Sequence, residues 1–161
     1  MVKEVYDLLN TQITKEFHSA YIYLDIASYF EEAGLDGYAS WYEKQAEEEQ
    51  EHAMKIYNYL HENNEKVTLG AIDKPNFNFK DNLEPLKAAL AHEEYITGCI
   101  NTIYEAATRN NDYRTAEFLH WFISEQAEEE KNAHSMISNM ELFGGDRMAL
   151  YSLNKDMKAR Q

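Results

Sequence analysis

Six side chains of this chain, scattered along its length, have the types and spacing to hold metal ions together: Glu16, Glu49, His52, Glu93, Gln126 and Glu129. Glu49 and His52 lie three residues apart. On a helix such a pair shares one face at about 5–6 Å and can grip a single cation. Gln126 and Glu129 repeat the spacing, and the repeat extends further. Shifted by 77 residues (93 − 16), Leu9, Ile13 and Glu16 fall on Leu86, Leu90 and Glu93, while Glu48, Glu49 and His52 fall on Glu125, Gln126 and Glu129. Each half thus offers one Glu and then, 33 residues on (49 − 16 and 126 − 93), a polar pair at i and i+3. Carboxylates with an imidazole suit iron or manganese, whereas a thiolate-free set cannot build a zinc ribbon or an iron–sulfur cluster. Four carboxylates left unpaired in a core would cost several kcal/mol each. Two divalent ions would cancel their charge. The competing reading treats Glu47–Glu51 and Glu128–Glu130 as solvated helix faces, and part of each run must be so, because consecutive residues visit every side of a helix.

Long helices must position these groups. The only prolines, Pro75 and Pro85, fall in one short stretch, and five of the six glycines cluster at breaks: Gly34 and Gly37, Gly70, and Gly144 and Gly145. Between the breaks the chain is rich in Glu, Lys, Ala, Leu and Tyr, a helix-forming composition. The pattern predicts an all-α chain with helices at about 4–32, 38–64, 82–110, 113–142 and 146–158. Apolar stripes at three- and four-residue spacing run Leu9, Ile13, Glu16, Ala20, Tyr23, Ala27 in the first helix and Ala39, Tyr42, Ala46, Glu49, Ala53, Ile56, Leu60 in the second. The third reads Leu86, Leu90, Glu93, Ile96, Ile100, Ile103; the fourth reads Ala116, Leu119, Ile123, Gln126, Glu129 or Glu130, Ala133, Ile137, Met140. Every stripe is broken near its middle by a carboxylate or amide, which predicts a polar layer inside a bundle. The loop at about 65–81 is long for a compact domain. Its 17 residues (81 − 65 + 1) can run the length of a bundle, making the second and third helices parallel. The remaining histidines, His18, His61, His92, His120 and His134, are read as surface or packing residues.

The 161 residues suit one compact domain. Fifteen Lys and Arg against 29 Asp and Glu give a net charge of −14, which argues against nucleic acid and anionic membranes as partners. No apolar run approaches a membrane span, and the start MVKEVYDLLN does not read as a signal peptide. A single Cys, Cys99, excludes an intrachain disulfide framework. A soluble domain of the reducing cytoplasm is expected.

Three segments, Lys15–Tyr23, Ala46–His52 and Trp121–Lys131, together resemble the haem-free bacterial ferritins. The resemblance extends over nearly the whole chain. It implies a ferritin-like four-helix bundle with one long crossover and a short fifth C-terminal helix. It also implies iron storage with a ferroxidase centre that oxidises Fe(II) with dioxygen or hydrogen peroxide, in a homo-oligomeric shell of 24 subunits. By the family pattern Glu16, Glu49 and His52 hold the first iron, and Glu49 bridges to a second held by Glu93 and Glu129, with Gln126 alongside. Tyr23 matches a tyrosine beside the dinuclear site; ordinary aromatic packing would explain it equally. Glu48, Glu125 and Glu128, with Glu129, match a third iron site. Departures exclude neighbouring families. Gln50 stands where a bacterioferritin carries its haem-ligating Met, and the second half lacks Glu-x-x-His, so no haem is expected. Two rival readings are a di-iron enzyme that forms no cage and an acidic helical interaction protein that binds no iron.

Overall fold

The computed structural model describes residues 1–160. Five helices form, each within two residues of its expected ends: α1 (Lys3–Glu32), α2 (Asp36–Glu62), α3 (Leu83–Arg109), α4 (Tyr113–Phe143) and α5 (Arg147–Lys158). The first three stop in the same way. Gly34, Asn64 and Asn111 have φ of 77°, 60° and 58°. Behind each left-handed residue the chain turns back on the last helical turn, with Leu35 N–H donating to Phe30 O at 2.9 Å, Glu65 N–H to Leu60 O at 2.9 Å and Asp112 N–H to Ala107 O at 2.8 Å. These bonds satisfy carbonyls that a helix end would otherwise leave bare.

The two short turns make α1 and α2, and α3 and α4, antiparallel neighbours. The segment between α2 and α3 has no regular structure and climbs along α1. Tyr6 Oη donates to Lys66 O at 2.7 Å, Asn10 exchanges bonds with Thr68, Gly70 N–H donates to Thr14 Oγ1 at 3.2 Å, and Tyr29 Oη donates to Asn82 Oδ1 at 2.9 Å. Side chains one turn apart on α1 thus satisfy a loop backbone that has no ladder of its own. Having travelled from the first turns of α1 to the last, the chain starts α3 parallel to α2, as the crossover length predicts.

The apolar core is split in two. One cluster holds Ala20 to Phe30 of α1, Tyr38 to Ala46 of α2, Leu86 and Ala89 of α3, and Met136 and Met140 of α4. The other holds Val5 to Ile13, Ala53 to Leu60, Ile96 to Ala107 and Ala116 to Phe122. Between them each helix has a gap, and into the four gaps fall Glu16, Glu49 with His52, Glu93, and Gln126 with Glu129. Leu9 and Leu86, equivalent under the 77-residue shift (86 − 9), lie in opposite clusters, as a two-fold relation between the hairpins requires.

The stripe of α4 needs correction. Ile123 is 37% exposed and Ile137 only half-buried, while Phe122 and Met136 take the inner positions. Leu90 of α3 is likewise half-buried, with Ala89 inside it. Helix α5 packs across the start of α2. Asn154 Oδ1 accepts from Gly37 N–H at 2.8 Å and Tyr38 N–H at 3.2 Å, supplying from another helix the cap that Leu35 cannot. A β-carbon on Gly37 would lie 1.7 Å from Asn154 O, so only glycine lets the two backbones meet. Among the described residues no helix is long and apolar enough to cross a membrane.

Candidate metal centre

The polar layer is buried and crowded. Glu16, Glu49, His52, Glu93, Gln126 and Glu129 are all buried. One potential ligand atom from each of Glu16, Glu49 and His52 lies within 4.8 Å of the other two, and Glu49, Glu93 and Glu129 form a second such group. Glu49 belongs to both. The sequence-derived set therefore converges from four helices on one place, with Glu49 in the middle and Glu129, rather than Glu130, pointing inward.

Each carboxylate is braced differently. Gln12 Nε2 donates to Glu16 Oε1 at 2.8 Å, and Glu16 Oε2 is buried with no hydrogen-bond partner among the described residues. Gln45 Nε2 reaches both Glu129 Oε2 at 2.7 Å and Glu49 Oε1 at 3.3 Å. His52 Nδ1 lies 3.2 Å from Glu49 Oε2, and its ring is held edge-on by Trp121 and Phe122. Glu93 is fully engaged: Tyr23 Oη donates to one oxygen and Gln126 Nε2 to the other at 2.9 Å. Gln126 Nε2 also lies 3.2 Å from both Glu93 O and Thr97 Oγ1, an amide locked in place.

Gln12 and Gln45 are not among the residues expected from sequence. Their one available signal is positional: each precedes a buried Glu by four residues, Gln12 before Glu16 and Gln45 before Glu49. One helical turn on the same face is the distance at which an amide can steady a carboxylate.

Electrostatics follow from burial. Loss of water pushes the Glu16 carboxyl well above the usual carboxylate range, and the Glu49 charge adds to this. Burial, with Glu93 and Glu129 alongside, raises Glu49 in the same way. Glu93 is raised by burial but restrained by its bonds from Tyr23 and Gln126. Burial and the nearby Glu93 push Glu129 up to about 8. All four are thus shifted toward their protonated forms, and bound cations would take the place of those protons. The chemistry of the set, oxygen donors plus one imidazole with a buried carboxylate oxygen left unpartnered, fits iron as a bound substrate.

The acids expected at a third site divide. Glu125 Oε1 stands 3.7 Å from His52 Nε2, on the side of the ring away from Glu49, and with His52 and Glu129 makes a third close group. That position suits a carboxylate that orients an imidazole as much as one that binds metal. Glu48 instead pairs with Arg160 Nη2 at 2.8 Å. Glu128 is exposed and shares with both a cleft of about 410 Å³ that reaches Glu129. Met54 is 41% exposed, on the outside of α2.

Comparison with known proteins agrees with this geometry. The ferritin-like domain family matches residues 6–143. A bacterial non-haem ferritin of Campylobacter jejuni is 38% identical over 156 residues, covering 97% of this chain and 93% of that protein. One from Staphylococcus haemolyticus is 35% identical over 158 residues, covering 98% and 95%. The solved open-pore ferritin of the archaeon Archaeoglobus fulgidus superposes with a TM-score of 0.98 at 35% identity, covering 100% of this chain and 99% of its own. The crossover, the short fifth helix and the buried carboxylate–imidazole layer thus occur together in a chain that belongs to the bacterial non-haem ferritin family.

Proposed function

We propose that this ferroxidase-type ferritin, acting as a single domain, oxidises Fe(II) in its buried layer and stores the Fe(III) as a mineral inside a homo-oligomeric shell of 24 subunits in the cytoplasm. The observation that carries the reading is the pair of ligand groups sharing Glu49. In this reading Glu16, Glu49 and His52 hold one iron. Glu49 bridges to a second, held by Glu93 and Glu129, with Gln126 steadying Glu93. Glu48, Glu125, Glu128 and Glu129 form an outer position on the cleft side. No haem takes part.

The residues do three things. First, the carboxylates exchange protons for iron, so that binding releases protons and strengthens with pH. Second, two Fe(II) held together each give up one electron, so that with two protons dioxygen leaves as hydrogen peroxide, or hydrogen peroxide as two waters, without a one-electron product. Third, all-oxygen ligation at the second position lets oxidised iron move onward, whereas the imidazole keeps the first position filled. Burial raises the Tyr23 phenol well above its ordinary value, so it stays protonated and keeps its bond to Glu93. Assembly is supported by large apolar side chains left open to solvent near the end of the bundle, among them Leu142 at 73% and Met148 at 74% exposed.

The test is to add excess Fe(II) aerobically to metal-free protein and follow iron and protein together by size exclusion. Hundreds or more iron atoms co-eluting with a large species are expected. About two per chain on a small species would point to a di-iron enzyme instead. Protein that retains no iron would refute both.

A further inference from the structure

The outer cleft already contains a positive charge, and the chain itself provides it. Arg160, two residues beyond the end of α5, folds back over the first half of α2. Its Nη1 donates to Trp41 O at 3.1 Å and to Gln45 Oε1 at 3.0 Å, its Nη2 pairs with Glu48 Oε1 at 2.8 Å, and its Cζ lies 4.2 Å above the Trp41 ring. Only 19% of the side chain is exposed. The guanidinium is held by a carboxylate, an amide, a carbonyl and an indole face, and it is charged at every physiological pH.

Two consequences follow from this position. Among the described residues that line the cleft, Glu48 is the one acid from α2, with Glu125, Glu128 and Glu129 coming from α4. While Arg160 holds Glu48, a metal ion in the cleft lacks one ligand and meets a like charge. The second consequence reaches inward. Because Gln45 Oε1 accepts from Arg160, its Nε2 must point the other way, which is where it meets Glu49 and Glu129. One amide therefore joins the outer cation to the two carboxylates of the buried layer.

We propose that Arg160 is a built-in counter-ion of the outer cleft: metal takes up Glu48 only when the guanidinium leaves, and its departure releases Gln45 from the orientation that braces Glu49 and Glu129. The inference rests on the iron reading of the buried layer and adds to it a coupling between outer filling and inner ligand geometry. Helix α5 sets the reach, since Asn154 on Gly37 and Lys158 on Asp36 tie it to the start of α2.

The test uses the assembled full-length protein, freed of metal, and Zn(II), which binds such ligands without redox chemistry. Calorimetric titrations compare the wild type with Arg160→Gln and Arg160→Lys while tryptophan fluorescence is followed. In the wild type a fluorescence step is expected with the third equivalent, when the guanidinium leaves Trp41. Arg160→Gln should bind the third equivalent on the order of tenfold more tightly, with the step gone and the first two equivalents still bound. Arg160→Lys, which keeps the charge, should hold the third equivalent near its wild-type affinity. An unchanged third equivalent in Arg160→Gln, or a fluorescence step that survives there, would overturn the role of Arg160 while leaving the dinuclear reading intact. Absence of Zn(II) binding by every variant would overturn both.

Discussion

The two halves of the buried layer are built from related sequence yet are not equally satisfied. In the first half His52 supplies a nitrogen, and among the described residues Glu16 Oε2 is buried with no N–H donor, its carboxyl set beside that of Glu49. In the second half Glu93 has both oxygens occupied, one by Tyr23 and one by Gln126, and no imidazole is present. A cation arriving at the first half relieves an unpartnered oxygen. At the second it would compete with the bonds that both oxygens of Glu93 accept, as at the first it would compete with the His52 Nδ1 contact to Glu49. Two carboxylates with an imidazole against three carboxylates therefore give unequal sites, and what surrounds them adds to the difference. We expect the first half to fill first and hold its metal, and the second to exchange it.

The largest effect should come from the residue common to both halves. Glu49→Ala should lower the initial rate of Fe(II) oxidation by more than about 100-fold, beyond the cost of losing an outer partner, with helicity by circular dichroism unchanged. An unaltered rate would show that Glu49 does not bridge. Next, His52→Ala should weaken the first anaerobic equivalent by roughly 100-fold, while Gln126→Ala should weaken only the second, by about tenfold. If the two variants exchange phenotypes, the order of filling is reversed. Gln12→Leu removes the amide that donates to Glu16 Oε1 and should cost about tenfold in the first equivalent, measured by the same titration.

The smallest effect concerns pH. Glu129 is raised to about 8 in the fold, so between an unfolded value near 4.5 and that value the folded chain binds the extra proton. Stability from this group is full at low pH and is lost as pH rises through 8. His92 works in the opposite direction but lower, since burial and His18 depress it to about 4, and its contribution is lost only as pH falls. From pH 6.5 to 8 the metal-free melting temperature should therefore fall by roughly a few degrees, and Glu129→Gln should flatten the slope. A melting temperature that rises with pH across this window would contradict the assignment.

Much of this was legible in the sequence, for identifiable reasons. Helix ends were marked by Gly34 and by the Asn110–Asn111–Asp112 turn, and the crossover by its length and its proline. The buried carboxylates stood out because a charge in an apolar stripe is costly unless it is used. The inner face of α4 was ambiguous because Phe122 and Ile123, and Met136 and Ile137, are adjacent apolar pairs, and a shift of one residue preserves the helical period. Packing decided the first: Phe122 faces the His52 ring. Gln12 and Gln45 were hidden because a neutral amide near a charged residue carries no strong signal. Arg160 lies outside every periodic segment, and its partners Trp41, Gln45 and Glu48 are more than a hundred residues away. Such contacts exist only after α5 has docked on α2.

The unequal halves can be examined directly in crystals of the metal-free protein soaked anaerobically with one equivalent of Fe(II) per chain. Anomalous scattering at the iron edge should appear beside Glu16, Glu49 and His52 first, and between Glu49, Glu93 and Glu129 only as a second equivalent is added. Equal occupancy of the two positions at one equivalent, or filling in the opposite order, would contradict the account.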